Sequence, residues 1–174
     1  MSVDLLRFVR DVRDFPKPGI TFKDLTPLLA DAHAFAAAIS ALVAPFRDAN
    51  VERVVGIEAR GFIFGAAAAH ALGAGFVPMR KPRKLPAKTI GIDYALEYGS
   101  DRLEMHADAL VRNERVLIVD DVLATGGTLA AAAGLCEQAG ATVVGAALVA
   151  EIGFLGGRGR WVQDAPLHVV LRFD

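Results

Sequence analysis

The stretch that decides the fold reads Val116-Leu117-Ile118-Val119-Asp120-Asp121-Val122-Leu123-Ala124-Thr125-Gly126-Gly127-Thr128-Leu129. Its four leading apolar residues are typical of a parallel strand covered on both faces, and two adjacent carboxylates follow where that strand is expected to end. In open α/β sheets, ligands bind at the carboxyl ends of the strands. Residues 124–128 then favour a small-residue loop opening a helix, whose N–H groups form an anion site.

An acid pair beside an anion-binding loop suits a sugar phosphate. The loop would bind the phosphate, while Asp120 and Asp121 would accept hydrogen bonds from vicinal hydroxyls. The chain contains neither the Gly-x-x-x-x-Gly-Lys-Ser/Thr pattern nor a Gly-x-Gly-x-x-Gly pattern after a strand, which argues against the two common nucleotide loops. A purely structural turn would explain Gly126 and Gly127, but it would rarely place two carboxylates at a strand end.

Composition limits the class of protein. The 174 residues predict a single domain, and a net charge of −1 gives no global field for nucleic acid or an anionic membrane. The start of the chain lacks the pattern of a signal peptide, and no apolar run approaches the roughly 18 residues of a membrane span. The single cysteine, Cys136, cannot form a disulfide within the chain and is expected in or near the core. A reducing, cytoplasmic environment is therefore predicted.

Alternating strands and helices predict an α/β fold with a mainly parallel sheet. The spacing of Leu5, Phe8, Val9 and Val12 predicts a helix over residues 3–12, and Asp31 is expected to cap a second helix. The predicted strands are 53–57, 75–79, 115–119, 142–150 and 167–172. Helices are predicted over 61–72 and from the motif loop to about 139, and a hairpin over 89–98 and 102–106 turns at 99–101.

Two further segments carry charge. In Glu58-Ala59-Arg60-Gly61-Phe62, an arginine followed by glycine between a strand and a helix predicts a second anion site, as a diphosphate ester would require. Residues 80–88 contain five cations and are interpreted as a flap over that site rather than a nucleic-acid patch. Glu97, flanked by Tyr94 and Tyr98, is a further functional candidate. The four histidines show no metal-ligand spacing.

Together these motifs resemble the type I phosphoribosyltransferases, and within them the adenine phosphoribosyltransferase family. The resemblance covers about residues 5–173 and also includes Phe15-Pro16-Lys17-Pro18-Gly19-Ile20-Thr21-Phe22-Lys23-Asp24. It implies a central sheet flanked by helices, an N-terminal hood of about residues 1–30 and a flexible β-hairpin flap of about 80–106. It also implies purine salvage: adenine and 5-phosphoribosyl pyrophosphate (PRPP) give AMP and diphosphate, with Mg²⁺, in a homodimer.

The resemblance assigns the site residues by position. Thr21 and Lys23 would contact adenine through their backbone and Phe22 would stack on it; many relatives have arginine in place of Lys23. Asp120 and Asp121 would bind the ribose hydroxyls. The residues that would hold diphosphate are Arg60, Arg80, Lys81 and Lys84. Those that would hold the 5′-phosphate are Ala124, Thr125, Gly126, Gly127 and Thr128.

The remaining roles complete the expected site. Val122 and Leu123 would border the base, and Glu97 would act as the acid/base near the reacting atoms. A non-proline cis peptide is expected at Ala59–Arg60. Mg²⁺ would be held mainly by substrate oxygens and water, because this ion retains several waters and needs few protein ligands.

Two alternatives remain. Another purine phosphoribosyltransferase, notably a xanthine-specific one, would share the PRPP motif. Residues 142–174 contain no lysine to face a 6-oxo group, which agrees with adenine. A regulatory protein that senses PRPP and binds nucleic acid would need an added domain or a basic face, neither of which the length and charge of this chain favour.

Overall fold

The computed structural model describes residues 3–95 and 99–174, which form two compact units, Met1–Ala41 and Leu42–Asp174. The strands are β1 (Arg10–Arg13), β2 (Thr21–Asp24), β3 (Arg53–Ile57), β4 (Gly75–Met79), β5 (Thr89–Ala95), β6 (Ser100–His106), β7 (Arg115–Leu123), β8 (Thr142–Ile152) and β9 (Leu167–Phe173). The α-helices are α1 (Thr26–Ala30), α2 (Ala32–Val43), α3 (Gly61–Leu72) and α4 (Gly127–Gln138). Short 3₁₀ helices cover Leu5–Phe8, Ala44–Phe46, Gly153–Leu155 and Gly157–Arg160.

The first unit corrects the predicted N-terminal helix. Only Leu5–Phe8 forms a helical turn, and β1 then pairs antiparallel with β2. Two ion pairs stabilise this hairpin: Arg10 Nη2 lies 2.5 Å from Asp24 Oδ2, and Lys23 Nζ lies 2.7 Å from Asp11 Oδ1. The prediction for Asp31 is confirmed, because its carboxylate accepts the N–H of Ala34 at 2.8 Å at the start of α2.

A five-stranded parallel sheet in the order β4-β3-β7-β8-β9 forms the centre of the second unit, as predicted. Its central strands are apolar because both faces are covered: Val54, Val55 and the run from Val116 to Val119 are fully buried. Gly73, with φ 65°, ends α3 as a left-handed cap. Cys136 lies fully buried in the same core, as expected.

The motif strand is longer than predicted. β7 continues through Leu123 instead of ending at residue 119, so Asp120 and Asp121 lie within the paired strand and not beyond it. The reason is the length of β8, which extends to Ile152 and supplies hydrogen-bonding partners alongside the acid pair. The carboxylates are tolerated there because each has a polar partner.

The predicted hairpin is present as β5 and β6, a separate two-stranded sheet. Ser100 and Asp101, predicted as part of the turn, belong to β6 and pair with Ala95 and Tyr94. Leu103 and Met105 are fully buried, and Ile92 packs against the same core, so the hairpin strands are held by apolar contacts. Among the residues that the structure describes, no helix is long and apolar enough to cross a membrane.

Candidate active site

The predicted phosphate loop joins β7 to α4 and lines a cleft at the carboxyl edge of the sheet. Gly126 adopts φ 80°, a left-handed conformation that turns the chain into the first residue of α4. The cleft is lined by Asp120, Val122, Leu123, Ala124, Thr125, Gly126, Thr128, Leu129 and Leu148. The structure therefore brings Asp120, Val122, Leu123 and four of the five residues predicted to hold the 5′-phosphate to one cleft.

A second glycine, which the sequence reasoning missed, lies directly against this loop. A Cβ on Gly157 would lie 2.1 Å from the Ala124 carbonyl oxygen, and a Cβ on Gly126 would lie 2.2 Å from the Gly157 carbonyl oxygen. The two backbone segments therefore touch with no room for a side chain. The neighbouring Arg158 forms an ion pair with buried Glu151, in which Nη2 lies 2.6 Å from Oε2.

The acid pair takes two different environments, because successive residues of a strand point to opposite faces. Asp121 is 6% exposed and its Oδ2 accepts a hydrogen bond from Arg60 Nε. Asp120 Oδ1 accepts the backbone N–H of Asp121 at 2.8 Å. It also packs against Gly61, where a Cβ would lie 2.6 Å from that oxygen. Removal from water and the adjacent Asp121 carboxylate raise the pKa of Asp120 well above its usual range.

The second loop contains a partly buried acid, Glu58, that was not among the predicted site residues. Glu58 Oε1 accepts hydrogen bonds from Lys84 Nζ at 2.5 Å and from Arg80 Nη2 at 3.2 Å. Its Oε2 accepts the backbone N–H of Lys81 at 2.9 Å. Burial alone would raise the pKa of Glu58, but the hydrogen bonds from Lys84, Arg80 and the Lys81 N–H together lower it to about 2. An acid near Arg60 and a dense basic segment later in the chain were the sequence signals that could have predicted this pairing.

Lys81 points to a different acid. Its Nζ donates to Asp101 Oδ2 and, at 2.9 Å, to Tyr94 Oη. Tyr94 Oη in turn accepts a 3.4 Å hydrogen bond from Thr128 Oγ1 in the first turn of α4. This cluster connects the basic segment, the hairpin and the phosphate loop. Although burial raises the pKa of Asp101, the hydrogen bonds from Lys81, the Arg102 N–H and Tyr94, together with the charge of Lys81, lower it below its usual range.

The remaining predictions concern Glu97, the three N-terminal base-binding residues and the non-proline cis peptide. Glu97 lies outside the described residues. Thr21, Phe22 and Lys23 form part of β2 in the first unit, where the Phe22 ring meets Phe15 edge-to-face at 5.3 Å. The non-proline cis peptide is Glu58–Ala59, one bond before the expected Ala59–Arg60.

No group of three or more His, Cys, Asp or Glu side chains in residues 3–95 and 99–174 is placed to hold a metal ion. The polar groups of the cleft are carboxylate, hydroxyl and backbone oxygens, the hard donors that suit Mg²⁺ beside a substrate that brings its own oxygens. The site as a whole places the two predicted anion-binding loops after the neighbouring strands β3 and β7, with the acid pair on β7.

Comparisons with known proteins agree with this geometry. A family profile described as "Phosphoribosyl transferase domain" matches residues 27–164. An adenine phosphoribosyltransferase of Xanthomonas campestris pv. campestris (strain B100) is 58% identical over 165 residues, covering 95% of this chain and 89% of that protein. The crystal structure of the Rhodothermus marinus adenine phosphoribosyltransferase is 51% identical with a TM-score of 0.93, covering 97% and 96% of the two chains. The Saccharomyces cerevisiae enzyme, solved with a dideoxy-imino-altritol bisphosphate and adenine, is 39% identical with a TM-score of 0.90, covering 97% of each chain.

Proposed function

The chain belongs to the phosphoribosyltransferase family, and we propose that it transfers the 5-phosphoribosyl group of PRPP to N9 of adenine, giving AMP and diphosphate. One observation carries the proposal beyond family membership. The ion pair between Arg60 and Asp121 joins the loop after β3 to the acid pair of β7. This ion pair supports the proposal, because it holds the residue proposed to bind diphosphate beside a residue proposed to bind the ribose, as a ligand with both groups requires.

The cleft supports the binding of phosphoribose. Backbone N–H groups of residues 124–128 and the start of α4 would hold the 5′-phosphate, because helix N-termini favour anions. Asp120 and Asp121 would accept hydrogen bonds from the ribose hydroxyls. Val122 and Leu123 would border the base. The sequences of the relatives support adenine as the base. The resemblance assigns its binding to Thr21, Phe22 and Lys23.

Cations of the second loop and the basic segment would bind the leaving diphosphate. Arg60, Arg80 and Lys84 supply guanidinium and ammonium donors that suit phosphate oxygens. Lys81 would join them by exchanging Asp101 and Tyr94, its partners in this structure, for diphosphate. That exchange would require the proposed flap to move when diphosphate binds.

The reaction follows from positioning and charge. The bond between C1′ and the diphosphate oxygen breaks, the bond between C1′ and N9 forms, and N9 loses its proton. Positive charge develops on the ribose as in glycoside hydrolysis, and the base itself is the nucleophile, so no protein nucleophile is required. The two loops would hold both ends of PRPP in line with the base. Glu97 is proposed as the group that accepts the N9 proton.

Mg²⁺ is proposed as the metal, held by diphosphate and ribose oxygens and by water rather than by a protein cage. When bound, it would neutralise charge on the leaving diphosphate. The hood of about residues 1–30, the flap, a homodimeric assembly and a cytoplasmic location are proposed with it from the resemblance. A buried, reduced Cys136 agrees with the last of these.

A four-base assay tests the proposed function. Steady-state rates with PRPP and Mg²⁺ are measured for adenine, hypoxanthine, guanine and xanthine. We expect turnover with adenine and little with the three oxopurines. Turnover with an oxopurine in place of adenine would overturn the choice of base and leave the reaction class, whereas no turnover with any base would overturn the function.

A further inference from the structure

Glu58 is a partly buried acid outside the proposed binding roles. It follows β3 directly, its side chain is only 9% exposed, and both of its oxygens accept hydrogen bonds. All of these donors come from the basic segment between β4 and β5. A carboxylate bonded in this way is unlike a solvent-facing acid, because it orders two cationic side chains, those of Arg80 and Lys84, at once.

The hydrogen bonds fix Arg80 on more than one side. Its Nε and Nη2 donate to the two Glu58 oxygens at 3.3 and 3.2 Å, and its Nη1 donates to the Lys84 carbonyl oxygen at 3.1 Å. The guanidinium also lies 5.9 Å from the centre of the Phe62 ring. Arg80 is therefore held in one orientation by contacts within the chain.

The same contacts leave donors for a ligand. A guanidinium has five N–H groups, and the three hydrogen bonds of Arg80 leave two without a partner among the described residues. Lys84 uses one of its three ammonium hydrogens on Glu58. The cluster of Glu58, Arg80 and Lys84 carries one net positive charge. Because the pKa of Glu58 is about 2, the carboxylate is ionised at any pH near neutrality.

We propose that Glu58 is a positioning residue for diphosphate: it holds Arg80 and Lys84 in the orientation that binds the leaving group. This inference rests on the proposed function, because it assigns the diphosphate end of the same site. Long cationic side chains lose rotamer freedom when they bind an anion, and a residue that orders them beforehand reduces that loss.

The test is Glu58→Gln, which keeps the shape of the side chain and one acceptor oxygen but removes the charge. We expect the KM for PRPP and the inhibition constant of diphosphate to rise about tenfold, while the KM for adenine changes less than twofold. Glu58→Asp, which keeps the charge on a shorter side chain, is expected to recover part of the affinity. Binding of diphosphate with Mg²⁺ is measured by calorimetry for each variant.

Glu114→Gln is the matched control. Glu114 is also buried and its Oε1 lies 3.1 Å from Arg53 Nε, but Arg53 is the first residue of β3, at the other end of that strand. This control loses a comparable ion pair and should bind diphosphate like the wild type. An equal loss of affinity in Glu114→Gln would reduce the effect to general destabilisation and overturn the inference.

An unchanged or lower KM for PRPP in Glu58→Gln also overturns it, because the carboxylate would then compete with diphosphate. Should Glu58→Gln fail to fold, Glu58→Ala decides, and wild-type diphosphate affinity in that variant refutes the positioning role. Calorimetry with diphosphate requires no purine base and therefore measures binding separately from turnover. A wild type that binds diphosphate without turning over adenine would therefore sink the proposed function and still leave Glu58 testable.

Discussion

The two loops that follow β3 and β7 lie at the same edge of the sheet, yet they are built by different physical means. The loop after β3 is charged: it presents Arg60 and is tied through Glu58 to two further cations. The loop after β7 contains no charged residue between Leu123 and α4, and its shape depends on the contact between Gly126 and Gly157. Of the two proposed anion sites at this sheet edge, one is therefore built by charge and the other by close backbone packing.

The two loops are expected to differ in the kind of structural change that each tolerates. The attraction between charges falls slowly with distance, so a small displacement of a cation changes binding modestly. Hydrogen bonds from backbone N–H groups weaken steeply once distance or angle departs from the optimum. The uncharged loop is therefore expected to be the more sensitive of the two to a change in shape, and the charged loop to a change in charge.

The largest effect is expected from Gly157→Ala. The added methyl would meet the Ala124 carbonyl oxygen at 2.1 Å, so the phosphate loop must shift. A misplacement of about 1 Å at a reacting site costs roughly 100-fold, and we expect a loss of that size in kcat/KM for PRPP. The control is Gly159→Ala, two residues further on, where a Cβ would meet nothing within 4 Å. Equal rates for the two variants would show that the loop does not depend on this contact.

A smaller effect is expected where the two loops meet. Asp121→Asn removes the charge that pairs with Arg60 and weakens an acceptor for the ribose. A hydrogen bond to a charged group contributes about 1.5–3 kcal/mol, so kcat/KM for PRPP should fall by roughly 10- to 100-fold. Asp174→Asn serves as the control, because it removes only an exposed ion pair with Arg172. If steady-state rates at limiting PRPP match the wild type, Asp121 has no part in binding the ribose.

The smallest effect concerns the stability of the charged loop. Folding lowers the pKa of Glu58 from 4.5 to about 2, so its ionised form stabilises the fold above pH 4.5 and this contribution is lost as the pH falls towards 2. We expect the Tm difference between wild type and Glu58→Gln to be constant above about pH 5 and to shrink below pH 4. Thermal scans across this range measure it. A difference that grows on acidification would contradict the assigned pKa.

The uncharged loop could be predicted from the sequence because its information is local. The apolar run, the acid pair and Gly126 follow one another in the chain, and each has a direct structural meaning. The sequence did not reveal the long-range contacts that support each loop. Gly157 lies 31 residues from Gly126, and Glu58 lies 26 residues from Lys84, so neither contact leaves a short-range pattern.

The errors in the fold have a similar origin. Leu5, Phe8, Val9 and Val12 have helical spacing, but the chain leaves the helix after Phe8 because β1 finds partners in β2. β7 passes through its acid pair because β8 continues beside it. In both cases, hydrogen bonding to a partner strand decided the outcome over the local pattern.

The burial of Cys136 gives this protein a built-in reporter of unfolding. Its side chain is fully buried in the layer between α4 and the sheet, and burial raises the pKa of the thiol to about 12, with a smaller contribution from Glu137. The thiolate that reacts with alkylating reagents is therefore scarce as well as inaccessible while the layer is closed. Because the chain has one cysteine, the rate at which a reagent modifies it reports how often the layer that carries the phosphate loop opens.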